Sequence, residues 1–106
     1  MDEPSVITNL KQVALNQPTS ANYVNLSLEY YKEGLYLESI WANQEAIRLQ
    51  PNNVLAYNNI CAAYNAMKDW PDAIKAARNA LAIDSTFQLA KNNLNWAMSQ
   101  AALQHK

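Results

Sequence analysis

Glycine occurs once in this chain of 106 residues, beside four prolines, one cysteine, one histidine and one phenylalanine. Sheet-rich proteins consume glycine in tight turns, so its scarcity excludes a hairpin-based fold and leaves an all-helical one. With Cys61 alone there is no intrachain disulfide and no cysteine-based zinc site, and the redox compartment stays open. The single histidine, His105, has no carboxylate or thiol partner in sequence. Serines and threonines lack an accompanying base, and neither a glycine-rich phosphate loop nor metal-ligand spacing occurs. The expectation is a chain that is not an enzyme and takes no cofactor and no metal. Charge is sparse as well: 16% of residues are charged, the formal net charge is −1 and the pI is about 5.7, without a run of one sign. A nucleic-acid footprint needs a clustered basic face, and a polybasic membrane patch needs the same. No window approaches the roughly 18 apolar residues of a membrane span, and Met1-Asp2-Glu3-Pro4 has no signal-peptide character. These absences lead to an expected cytoplasmic setting, with neither nucleic acid nor membrane insertion.

What the chain does contain is a period. Asparagine stands at Asn25, Asn59 and Asn93, each 34 residues from the next. Tyr23 recurs as Tyr57, Leu26 as Ile60 and Leu94, Tyr30 as Tyr64, Tyr36 as Trp70, Ile40 as Ile74, Ala46 as Ala80 and Leu49 as Ile83. Half the residues are hydrophobic, enough for a core. Self-similarity at this period marks a stacked array in which no unit buries its own apolar face. Such arrays present extended binding surfaces, so the period points to recognition.

Periodicity and punctuation place about five helices, with a short one after Asp69 besides. The first runs from about Ser5 to Asn16, before Pro18. The next runs from Ser20 to Glu33, with Gly34 as a left-handed C-terminal residue. Another covers Leu37 to Leu49 and ends at Pro51. Asn52 or Asn53 caps a helix over Val54 to Met67. Asp69 caps a short helix with Pro71 in its first turn, and a Ser85–Gln88 capping box opens a last helix towards Leu103. His105 and Lys106 should fray.

The units "YVNLSLEYYKEGLYLESIWANQEAIRLQP" and "YNNICAAYNAMKDWPDAIKAARNALAID" resemble the tetratricopeptide repeat, or TPR. Tyr23, Leu26, Ser27, Tyr30, Ser39, Ala46 and Pro51 hold its signature places in the first unit. Tyr57, Ile60, Cys61, Tyr64, Ala73 and Ala80 hold them in the second, where Ser85 replaces the proline. The resemblance implies an all-α, TPR-type α-solenoid of antiparallel helix pairs forming one domain over residues 1–106. Its parts are an N-terminal helix (5–18), repeat 1 (20–53), repeat 2 (54–87) and a capping helix (88–106). Cys61 then reads as a small packing residue. Lys91 takes the place of Tyr23 and Tyr57, as suits a solvated terminal helix.

In that family the first helix of each pair lines a concave groove. The resemblance therefore assigns groove positions to Val24, Asn25, Leu28 and Tyr31, with Ala21 and Lys32 beside them. It assigns Leu55, Asn58, Asn59 and Asn65, with Ala62 and Ala66, from the second pair. The last helix adds Leu89, Asn92, Asn93 and Trp96, with Gln100. Three asparagines one repeat apart could each pair with a peptide group of an extended ligand. Helices pack about 8–10 Å apart, and three residues of polyproline II advance about 9.3 Å. Trp96 reads as an apolar anchor, with packing on the preceding repeat as the alternative. Chaperone-tail binders of this family use a basic clamp for two carboxylates. Val24, Leu28 and Leu89 occupy three of those positions here and only Asn59 matches, so an acidic C-terminal tail is not the expected ligand.

The implied function is a non-catalytic protein–protein interaction module that binds an extended or helical peptide segment in an Asn-lined groove. The alternative is a self-assembly module, a homo-oligomer formed through an apolar N-terminal edge of Val6, Ile7 and Leu10. The ending "AKNNLNWA" also resembles repeats appended to bacterial envelope and glycan-handling proteins.

Overall fold

The computed structural model describes residues 3–104, so the expected fraying of His105 and Lys106 lies outside the described residues. Among the described residues there are six α-helices and no strand: α1 (Ser5–Asn16), α2 (Ser20–Lys32), α3 (Tyr36–Leu49), α4 (Val54–Ala66), α5 (Trp70–Ile83) and α6 (Gln88–Gln104). The count is six rather than about five. The Asp69 carboxylate accepts from the Asp72 N–H, and Pro71 sits in the first turn where its missing N–H is harmless, so α5 runs for a full 14 residues.

Helix starts follow the repeat. Thr19 caps α2 by accepting from Asn22 N, and 34 residues later Asn53 caps α4 by accepting from Ala56 N, both at 3.1 Å. The next equivalent is Phe87, which offers no side-chain oxygen. The turn before α6 is instead organised by Asp84, whose carboxylate accepts from the Thr86 N–H at 3.0 Å and hydroxyl at 2.6 Å. The Ser85–Gln88 box does not open α6, because a helix starting at Gln88 puts Ser85 outside its cap position.

Helices α2 and α3 are antiparallel. The Ser20 hydroxyl donates to the Ala46 carbonyl at 2.9 Å, and the Ser39 hydroxyl donates to the Ser27 carbonyl at 2.9 Å. Thus the start of α2 meets the end of α3 and its middle meets the start of α3. Small residues permit this close approach: Ser27, Ser39, Ala42 and Ala46 are all essentially inaccessible. Cys61 and Ala73 replace Ser27 and Ser39 in the α4–α5 pair and are equally buried. Asn53 Nδ2 also donates to Ser20 Oγ at 2.7 Å, which ties the cap of α4 back to the first pair.

Two cores result. The first gathers Ile7, Ala14, Tyr23, Val24, Leu26 and Tyr30. The second gathers Ile40, Ile60, Cys61, Trp70 and Ala77 with Ala97 of α6, and Ile47 touches both. The Cys61 thiol, desolvated there, is pushed up to about 11, although a backbone hydrogen bond at Ala77 opposes the rise. At neutral pH it is a protonated packing group.

The N-terminal edge differs from expectation. Ile7 is fully buried and Leu10 is partly so, while Val6 stays exposed. Helix α1 rests one face on α2, and residues one position apart point about 100° away from each other. Ile7 therefore belongs to the core and not to an open edge.

Gly34 ends α2 at φ +75, and its repeat equivalent Lys68 adopts φ +61 at the end of α4. A left-handed backbone is strained for a side-chain-bearing residue. Lys68→Gly should raise stability by roughly 0.5–1 kcal/mol; an unchanged or lower urea midpoint would contradict this.

Candidate functional site: a groove lined by α2, α4 and α6

Helices α2, α4 and α6 are the first members of successive pairs and lie side by side on one face of the 46 × 33 × 17 Å molecule. Towards the C-terminal ends of α2 and α4 that face has a hollow of about 330 Å³ that touches Tyr31, Ala62, Asn65, Ala66, Asn93 and Trp96. A neighbouring hollow between α2 and α4 touches Leu28, Tyr31, Ser39, Asn59 and Ala62. The alanines make room, and larger side chains stand around them. Trp96 is 55% exposed and borders the first hollow, so its indole is not enclosed against the preceding repeat. The Tyr31 ring is held edge-on by Tyr36, with centroids 5.4 Å apart at 65°.

The three asparagines one repeat apart are not equivalent. Asn25 is exposed. Asn59 is partly buried, and its Nδ2 is inaccessible without a hydrogen-bond partner. Asn93 is engaged internally: its Nδ2 donates to Asn58 Oδ1 at 3.0 Å, and its carbonyl accepts from Asn65 Nδ2 at 3.3 Å. A ladder of three identical rungs is therefore not what the fold presents. The amides of α4 and α6 bond each other across the interface, because apposed helices bring their polar side chains within reach.

The other expected positions divide as cleanly. Leu55, Leu89 and Asn92 are exposed, outside the two hollows. Val24 and Asn58 are buried, at 6% and 5% exposure, and so are not groove contacts. Each lies one residue before a ladder asparagine, and the turn of the helix aims it at the neighbouring pair. Asn92, at the same register, remains exposed because no further helix follows α6 within the described residues. Charge in the groove is slight, since the Lys32 ammonium already donates to Glu29 at 3.2 Å.

Sequence reasoning missed Trp70 and Lys68, which join Trp96, Gln100 and Leu103 around a third hollow beyond the groove's α6 end. The signal was present: Trp70 is the repeat equivalent of Tyr36, and Lys68 of Gly34. Among the described residues no three His, Cys, Asp or Glu side chains gather where they could hold a metal ion, and no helix is long and apolar enough to cross a membrane.

No family model matches the chain. It is 34% identical over 58 residues to Hsp70-Hsp90 organizing protein 3 of Arabidopsis thaliana, a match covering 55% of this chain and 10% of that protein. It is 34% identical over 53 residues to small glutamine-rich tetratricopeptide repeat-containing protein 2 of Saccharomyces cerevisiae, covering 50% of this chain and 15% of that protein. The chain thus matches only a small fraction of the length of these relatives. Among solved structures it superposes on the TPR2B domain of yeast Sti1, solved as a complex with pHsp70, with a TM-score of 0.84 at 21% identity over 92% of this chain and 83% of that one. It also superposes on MamA, with a TM-score of 0.85 at 22% identity over 95% of this chain and 56% of that one. The stacked antiparallel pairs with small residues at their crossings and these likenesses give the chain the all-helical, tetratricopeptide-type solenoid fold, with the 34-residue period of its sequence as the basis of the stacking.

Proposed function

We propose that this domain is a non-catalytic interaction module that holds an extended peptide segment of a partner protein in the groove of α2, α4 and α6. The observation that carries the reading is the exposed Trp96 ring beside a hollow floored by Ala62 and Ala66. Aromatic anchors at the centre of a concave face dominate binding energy, and apolar surface of this kind is otherwise left wet at a cost. Asn25 has its amide available for the ligand backbone, and Leu28, Tyr31 and Leu89 supply apolar contact on either side.

The ligand this surface suits is an uncharged or apolar segment. The Sti1 domain solved as a complex with pHsp70 has a related fold, which supports a protein ligand. The basic clamp of chaperone-tail binders has no counterpart at Val24, Leu28 or Leu89, which argues against an acidic tail. Self-assembly through the N-terminal edge is less favoured, because Ile7, at the centre of that edge, is buried.

Peptides selected from a random display library on the wild-type domain provide the test. Trp96→Ala should weaken the selected peptides by about tenfold or more, as for a hot-spot aromatic, with the thermal midpoint nearly unchanged because the ring is exposed. Selected peptides that bind Trp96→Ala as tightly as wild type would exclude the groove.

A further inference from the structure

The repeat makes a second surface interpretable, on the side of α4 opposite the groove. Tyr57, Ile60 and Tyr64 face that side, about 200° around the helix from Asn59, Ala62 and Ala66. They floor a cleft between α3 and α5 whose walls include Ile47, Arg48 and Lys75. An equivalent cleft lies between α1 and α3, where Ala14, Leu15, Tyr23, Leu26 and Trp41 meet. Position by position the two correspond at 34 residues: Ala14 with Arg48, Tyr23 with Tyr57, Leu26 with Ile60, and Trp41 with Lys75.

The first cleft shows what such a surface accommodates. Trp41 stands edge-on to Tyr23, with ring centroids 5.9 Å apart and planes at 83°, the favoured T-shaped arrangement. In the second cleft Lys75 replaces Trp41, and among the described residues no ring stands against Tyr57. That cleft is correspondingly larger, about 420 Å³ against 230 Å³. Its rim carries Arg48 and Lys75 against a single carboxylate, Asp72. Arg48 is paired with Glu45 at 3.1 Å, whereas Lys75 makes no ion pair among the described residues.

We propose that this convex cleft receives an aromatic side chain, tryptophan above all, from an acidic segment of a partner polypeptide. The ring stands on Tyr57 as Trp41 stands on Tyr23, and the flanking carboxylates meet Lys75 and the outer edge of Arg48. A charge-assisted contact of this kind also sets orientation. The site is independent of the groove and does not require the reading given for it.

The blocked pentapeptide Asp-Glu-Trp-Glu-Asp, with its Ala-for-Trp counterpart, tests the proposal by amide chemical shifts of the labelled domain. Saturable shifts are expected at Ile47, Tyr57 and Ile60, with affinity about tenfold weaker or worse for the alanine peptide. Lys75→Trp should fill the cleft from within and abolish those shifts. Lys75→Glu, a change at an exposed position that leaves packing alone, should weaken binding through charge reversal. Shifts confined to Tyr31 and Trp96 would assign the peptide to the groove and overturn the proposal. Equal binding of the alanine peptide, or unaltered binding by folded Lys75→Trp and Lys75→Glu, would overturn it too.

Discussion

Leu26→Ala should destabilise the domain by about 2–5 kcal/mol, the range for emptying a buried leucine site. Leu26 is 1% exposed and lies within the first core, between Tyr23 and Tyr30 of its own helix and the α1 and α3 residues packed on them. The surrounding elements cannot close over the vacated volume without moving helices that are already spaced by Ser27, Ser39 and Ala42. A domain of this size loses roughly 4–8 °C per kcal/mol, so the thermal midpoint should fall by on the order of ten degrees or more. Leu28, two residues on, is 45% exposed, and Leu28→Ala should stay within about 0.5 kcal/mol of wild type. Urea unfolding of the two variants separates them. A Leu26→Ala loss below about 1 kcal/mol would mean that the first core is looser than its burial implies.

Ile7→Glu should detach α1 from the stack. Ile7 has no accessible surface, and a carboxylate placed there is withdrawn from water into the mainly apolar first core. An unpaired buried charge costs several kcal/mol, which exceeds what one helix gains by resting on a single neighbour. The backbone of α1 comes close to that of α2 and of no other described helix, so the damage should be local. In stacked arrays each unit is coupled to its neighbours and not to the whole. The amides of α1 should exchange rapidly with solvent while those of α5 keep their protection. Within the native dock the glutamate pKa is raised above its unfolded value. The deficit is therefore greatest above the raised value, shrinks as pH falls from there towards about 4.3, and is smallest below it, where the group is neutral in both states. Val6→Glu, at a position 48% exposed, should leave both exchange patterns intact. Equal behaviour of Ile7→Glu and Val6→Glu would restore Ile7 to an open edge.

Much of this fold was legible from residue spacing because repeat physics is local. A helix start needs a side-chain oxygen at its cap, and Asn53 and Asp69 provide one; a helix end favours a residue that tolerates positive φ, and Gly34 supplies it. Tight helix crossings require small side chains, and Ser27, Ser39, Ala46, Cys61, Ala73 and Ala80 recur at the period. The start of α6 was misread because Ser-x-x-Gln is a local pattern that a stronger local competitor, the Asp84 carboxylate on Thr86, displaces.

The candidate groove was legible only as a set of helices. The period by itself determined that the units would stack, since a unit that cannot bury its apolar stripe alone must lay it on the next, and the resemblance to the tetratricopeptide repeat implied that α2, α4 and α6 would line one face. The rotation of each helix about its axis was left to tertiary packing, and a difference of about 100° between adjacent residues decides exposure. That rotation turned Val24 and Asn58 inward while leaving Asn25 and Trp96 in solvent. It also brought Asn58 and Asn65 within bonding distance of Asn93, so that one of three identical residues is held inside the array while another faces outward. Identical residues at a fixed period share a register but not a set of neighbours, and among the described residues α6 has neighbours on one side only.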